Sequence, residues 1–145
     1  MKWGNSMREI EFRAWLKKEK EMYKVVDMDF ELNWIQVLDE INAPFRKQNG
    51  FQNRATIELD NIELMQYTGK KDKNGTKIFE SDIVLVDEYE QEIAIIKWDE
   101  ECGNFYFELD NLYLTFDEYY ANELEVVGNI YQNPELLGDG DDIKE

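Results

Sequence analysis

Histidine is absent from the chain, and cysteine occurs once, at Cys102. The first absence removes Ser-His and Cys-His nucleophile systems, the commonest general base, and histidine-ligated zinc or iron. The second excludes an internal disulfide framework and any multi-cysteine zinc site. No run approaches the roughly 18 apolar residues of a membrane span, and no charged, apolar and small-residue series reads as a signal peptide. A cytoplasmic protein without membrane contact is therefore expected. Positive charge is scarce in one half only: residues 78–145 hold 2 Lys/Arg against 20 Asp/Glu, or −18, while residues 1–77 hold 14 against 13, or +1. Affinity for nucleic acid comes chiefly from Lys and Arg on phosphates, so no direct nucleic-acid binding is expected. A basic partner surface suits the acidic half better.

What is present describes a β-rich domain. A chain of 145 residues with 43% hydrophobic content can bury a real core. Its 8 Phe, 8 Tyr and 4 Trp are enough to fill a sheet face or an interface. Ile10, Phe12 and Ala14 alternate with Glu9, Glu11 and Arg13, the period of two of a half-buried strand. Met22 to Val26 pairs back on it across the charged Lys17-Lys18-Glu19-Lys20 connection, predicting a hairpin. Asp27 to Asn53 reads either as strand and loop or as an irregular helix over 32–42 ended by Pro44, with strand and loop preferred. Arg54 to Asp60 alternates again through Ala55, Ile57 and Leu59.

The most strongly specified stretch is Leu64 to Val86. Asp72, Asn74 and Gly75 form a structural turn in which the Asp side chain bonds to the backbone two residues on and Asn-Gly tolerates positive φ. Ile78, Phe79 and Ile83 to Val86 continue as strands, interrupted by Glu80-Ser81-Asp82 as by a bend or bulge. Further short strands follow over Ile93 to Trp98, Phe105 to Leu109, Leu112 to Phe116 and Leu124 to Tyr131. Gly128 marks a bulge, Pro134 stops the last strand, and residues 117–122 are predicted to make one helical turn. Residues 1–6 read as a leader or cloning remnant, 7–63 as an N-terminal β-rich region, 64–137 as a small barrel region, and 138–145 as a disordered acidic tail; 7–137 is expected to form one compact unit.

No catalytic template survives inspection. Thr68-Gly69-Lys70-Lys71 lacks the leading glycine and the Ser/Thr of a phosphate loop. Asp72 to Gly75 opens like a calcium loop, but Lys77 and Ile83 stand where that loop needs glycine and a bidentate Glu. Cys102 reads as an inert thiol. No catalytic residue, metal ligand or cofactor site is assigned. The candidate interaction surface consists of Asp99, Glu100, Glu101, Asp117, Glu118, Tyr119 and Tyr120, with a solvated acidic face as the bland alternative.

Several blocks together resemble a known family. Met7 to Trp15, Leu64-Met65-Gln66-Tyr67-Thr68-Gly69, Asp72-Lys73-Asn74-Gly75, Asp82-Ile83-Val84 and Val127 to Leu137 resemble, in that order, the YopX family of phage and prophage proteins. The resemblance implies a mainly β fold with few short helices, an SH3-like small barrel in the C-terminal half, and homo-oligomers. It implies no established activity. Ser81 departs from the pattern, since glycine usually precedes Asp-Ile-Val, and Lys70 stands where an apolar residue is common. If that glycine serves a positive φ, Ser81 implies a locally adjusted or strained backbone.

The expected function is that of a phage or prophage accessory protein: a non-enzymatic, self-associating binding module whose acidic half meets a basic surface. In one form, the Lys17 to Lys20 and Lys70 to Lys77 clusters of one subunit meet the acidic half of another. An acidic inhibitor of a basic host protein, either nucleic-acid-binding or defensive, is the second expectation. A carboxylate-dependent metal enzyme is the third.

Overall fold

A computed structural model describes residues 8–38, 54–109, 111–116 and 118–138. The structure is mainly β, with open antiparallel sheets and few short helices. It divides into two compact units, one from Glu11 to Met65 and one comprising Gln66 onward together with residues 8–10.

In the first unit, β1 (Phe12–Leu16), β2 (Glu21–Asp29), β3 (Trp34–Leu38), β4 (Arg54–Glu58) and the start of β5 (Ile62–Lys71) lie in the order β4-β3-β2-β1-β5. The predicted β1–β2 hairpin is present, with Ala14 opposite Tyr23 and Leu16 opposite Glu21. It starts later than the alternation implied: Ile10 precedes β1 and is 62% exposed. The period of two then breaks at a bulge between Val25 and Asp27. The extra residue keeps both Val25 and Met28 on the face that carries Ile35, Val37 and Ile57. The strand-and-loop reading of Asp27 to Asn53 holds through Leu38, while residues 39–53 lie outside the described residues. Phe30 and Leu32 sit on the exposed β2–β3 turn, where Asp29 accepts the Leu32 N–H at 2.9 Å.

In the second unit, β5 continues and pairs with β6 (Lys77–Phe79). Next come β7 (Asp82–Asp87), β8 (Glu92–Ile95), β9 (Lys97–Asp99), β10 (Asn104–Leu109), β11 (Leu112–Thr115), the helical turn α1 (Glu118–Ala121) and β12 (Glu125–Asn129). A 3-10 turn over Pro134–Leu137 follows β12. Two three-stranded sheets form, β12-β7-β8 and β11-β10-β9, and the hydrogen bonds among the described residues do not close them into one barrel. Ile78, Val84, Ala94, Ile96, Phe107, Ala121 and Leu124 form the buried core.

Because these strands are short, buried polar side chains fasten the turns. Asp72 Oδ1 accepts from the N–H groups of Asn74 at 2.9 Å and Thr76 at 2.8 Å, as a turn built on this Asp requires. Its Oδ2 accepts the Val126 N–H at 2.8 Å, joining that turn to β12. Gly75 alone of the Asn-Gly pair takes positive φ, at 84°. Asp82 Oδ2 accepts the Phe79 N–H at 2.7 Å and closes the β6–β7 bend. Asn129 Oδ1 accepts from the Tyr131 and Gln132 N–H groups at 3.1 and 2.8 Å. The Gly128 bulge is confirmed as a register shift between Val126 and Gly128.

Ser81 has φ of 75°, the left-handed conformation that its replacement of glycine implied. It is held there from both sides: its N–H donates to Ile96 O at 2.8 Å, and its carbonyl accepts from Ile130 N at 3.1 Å. Ser81→Gly should relieve a left-handed cost of roughly 1–2 kcal/mol while adding roughly 0.5–1 kcal/mol of unfolded-chain entropy. A net gain of up to about 1.5 kcal/mol in denaturant unfolding is expected, and a loss of stability would show that the serine side chain itself matters. Gly128 is tight for a different reason: a Cβ there would lie 2.5 Å from Asn133 Oδ1, the atom that accepts the Asn129 N–H. Gly128→Ala should therefore cost about 1–3 kcal/mol in the same assay.

Candidate interaction surface

The β11-β10-β9 sheet sorts its side chains by pleat. Register places Phe105 opposite Trp98, Phe107 opposite Leu114 and Leu109 opposite Leu112, so these residues share one face. Phe107 on that face is fully buried in the core. The opposite face carries Lys97, Asp99, Asn104, Tyr106, Glu108, Tyr113 and Thr115. There the rings of Tyr106 and Tyr113 stack with centroids 4.4 Å apart and planes 14° from parallel. Lys97 Nζ lies 3.9 Å from Glu108 Oε1.

Asp99 organises this face. Its Oδ1 accepts from the N–H groups of Glu101 at 2.9 Å and Cys102 at 3.2 Å, shaping the β9–β10 turn. Its Oδ2 accepts the Tyr113 hydroxyl at 2.6 Å, and the Asn104 side-chain amide lies 3.0 Å from that hydroxyl. The Tyr113 hydrogen bond, followed by the Cys102 N–H, holds the Asp99 carboxyl below its usual 3.8. The same bond pushes the Tyr113 hydroxyl well above its ordinary value, with desolvation and the Asp99 charge adding to it.

The candidate residues therefore separate. Asp99 is a turn-forming acceptor, whereas Glu100 and Glu101 stand exposed at the tip of the same turn. Asp117 lies outside the described residues, as do the side chains of Glu118 and Tyr119; Tyr120, on α1, is 39% exposed. The β9–β10 turn and α1 are separate elements. Asp72, Asn74 and Gly75 form their turn as expected.

Two features escaped the sequence reading. One is the Tyr106–Tyr113 stack, which counting outward from Asp110-Asn111 as a two-residue connection would have placed on one face. The other is Tyr89, 98% exposed between Glu88 and Glu90 on the β7–β8 turn. Asp87 Oδ1 accepts from the Tyr89 and Glu90 N–H groups at 2.9 and 3.2 Å, a second acidic tip shaped by an Asp. A groove of about 370 Å³ borders the sheet, lined by Ile93, Ile95, Lys97, Glu108, Leu136 and Leu137. Among the described residues, no three Cys, Asp or Glu side chains are grouped to hold a metal ion. No helix among them is long and apolar enough to cross a membrane.

The geometry defines a mainly β protein of short antiparallel strands with Asp-shaped acidic turns. The model of the YopX protein family matches residues 11–138, and the chain belongs to that family. Among solved structures it is similar to protein EF1440 from Enterococcus faecalis, with 29% identity and a TM-score of 0.63, covering 90% of this chain and 99% of that one. It is also similar in fold to protein YopX from Bacillus subtilis, with 17% identity and a TM-score of 0.51, covering 87% and 96% of the two chains. No curated protein matches the sequence.

Because the folded Asp99 pKa is depressed, its contribution to stability is present above the ordinary value of 3.8 and is lost as pH falls through the lower folded value. Tyr113→Phe removes the largest cause. The Asp99 carboxyl should then titrate closer to 3.8 in a carbon-detected NMR titration, and an unchanged titration would mean that the backbone donors alone set it.

Proposed function

We propose that the chain is a phage- or prophage-encoded accessory protein acting in the bacterial cytoplasm as a non-enzymatic, self-associating binding module. Its second unit is read as an SH3-like arrangement whose acidic turns meet a basic surface. One observation carries this reading. Beyond Lys77, the single cation among the described residues, Lys97, is already beside Glu108, while Glu90, Glu100 and Glu101 stand exposed on turn tips. Opposite charge on another surface would neutralise them.

The chain carries a basic surface of its own on the β1–β2 turn. Lys17 pairs there with Glu63 at 3.6 Å, whereas Lys18 and Lys20 are exposed and have no carboxylate partner among the described residues. The second lysine cluster is less available. Lys73 lies 3.4 and 3.9 Å from Glu88 and Glu125, and Lys77 pairs with Glu9. Lys18 and Lys20 are therefore the residues favoured to meet the acidic tips of another subunit.

Light scattering across a salt series tests the reading. An oligomer is expected at about 0.01 M salt, where charges act over roughly 30 Å, with dissociation toward monomer at about 1 M. Charge reversal by Lys18→Glu with Lys20→Glu should give a monomer at low salt. A wild-type monomer at high protein concentration in both salts would refute self-association. The acidic tips would then be left for a basic host protein, such as the target of an acidic inhibitor.

A further inference from the structure

We propose that the outer edge of β11 binds an extended basic peptide segment by strand addition, the segment alternating cationic and apolar residues. This rests on the reading that the acidic unit meets a basic surface, and it specifies the form and pattern of the partner. β11 is an edge strand of its sheet, with no strand on its outer side among the described residues. Leu112 to Thr115 contains no charge and no proline, the devices that usually protect an exposed edge. Leu112 is 62% exposed and Tyr113 45%, so apolar and aromatic surface accompanies the open edge.

The register specifies which backbone groups are open. Two residues separate Leu109 from Leu112, and Asn111 takes φ of 66°, as tight hairpin connections require. The closing Leu109–Leu112 pair of such a hairpin is hydrogen-bonded, and antiparallel pairs alternate. Phe107–Leu114 is then the next bonded pair. Tyr113 and Thr115 consequently turn their N–H and C=O groups outward, where an added strand would bond to them.

Side-chain chemistry follows from the same register. Segment residues opposite Tyr113 and Thr115 share the face of the Tyr106–Tyr113 stack, Asp99 and Glu108. An Arg there lies over a tyrosine ring whose hydroxyl is bonded to a carboxylate, a favourable site for a cation. Glu100 and Glu101 on the adjoining turn add negative potential, and Lys97 is the only described cation on this face. Segment residues opposite Leu112 and Leu114 lie on the apolar face, where Val, Ile or Leu would cover the exposed Leu112. A second copy of the acidic strand lacks this complementarity, which favours a basic occupant.

The test uses the full chain and a short peptide alternating Arg and Val, followed by NMR and calorimetric titration. Binding should shift the Tyr113 and Thr115 amides and slow their hydrogen exchange. N-methylation of the Arg amides, which face β11 in this register, should weaken binding at least about tenfold, while N-methylation of the Val amides, which point away, should change it less than about twofold. Equal binding by both methylated peptides, or by a peptide with the same residues in two blocks, would overturn strand addition while leaving the acidic-surface reading intact. Absence of binding by every peptide at low salt would overturn both. The altered groups belong to the ligand, so folding of the protein does not enter the comparison.

Discussion

The second unit depends on what the Asp72 carboxylate does. Its two oxygens accept three backbone N–H groups, two within its own turn and one from Val126, 54 residues away in sequence. Hydrogen bonds to an ionised acceptor contribute about 1.5–3 kcal/mol each, and a buried donor left without its partner costs a comparable amount. No apolar residue could replace this group, because none could accept from these three backbone donors. The Lys73 N–H bond to Leu124 O, 3.0 Å long, strengthens the same junction. A local turn is thereby converted into a long-range tie.

Strand length explains why polar ties are used. From β6 to β12 the strands are three to six residues long, and none makes an extended ladder. Short ladders leave many backbone groups at their ends, and those groups need side-chain partners. Asp82 supplies one for the β6–β7 bend, and Asn129 with Asn133 supplies several where β12 leaves its sheet. Ser81 belongs to this arrangement despite its unfavourable φ, because its N–H and C=O bridge to Ile96 and Ile130. The surrounding bonds hold the strained residue in place.

Much of this was legible from residue order. Alternation exposed β1 and β4, Asp72-Lys73-Asn74-Gly75 specified its turn, and the serine standing for glycine before Asp82 pointed to the positive φ found at Ser81. The bulge at Val26 was not legible, because nothing in the local composition distinguishes it from regular strand; only the need to keep Val25 and Met28 on one face reveals it. Ile10 alternated correctly but has no strand beneath it. Among the acids, composition could not separate Asp99 from Glu100 and Glu101. The shorter side chain returns to its own turn and accepts backbone N–H groups, and the two longer ones extend beyond it.

The division of labour among residues bears on what family membership conveys. Asp72, Gly75, Asp82, Gly128 and Asn129, in the blocks that carry the resemblance, act on backbone geometry: they fill turns, admit a close approach or satisfy buried donors. A match built on such residues establishes the fold without naming a partner, since the same ties would serve any surface mounted on them. The surface chemistry lies between the blocks, on the β7–β8 and β9–β10 tips and along β11. There the side chains bear little of the folding constraint and can be matched to a partner with small cost to stability. Asp99 and Tyr113 do both, shaping a turn and defining the exposed tyrosine face through one hydrogen bond. That bond couples the fold to the surface proposed to bind, so a change in it should register in both.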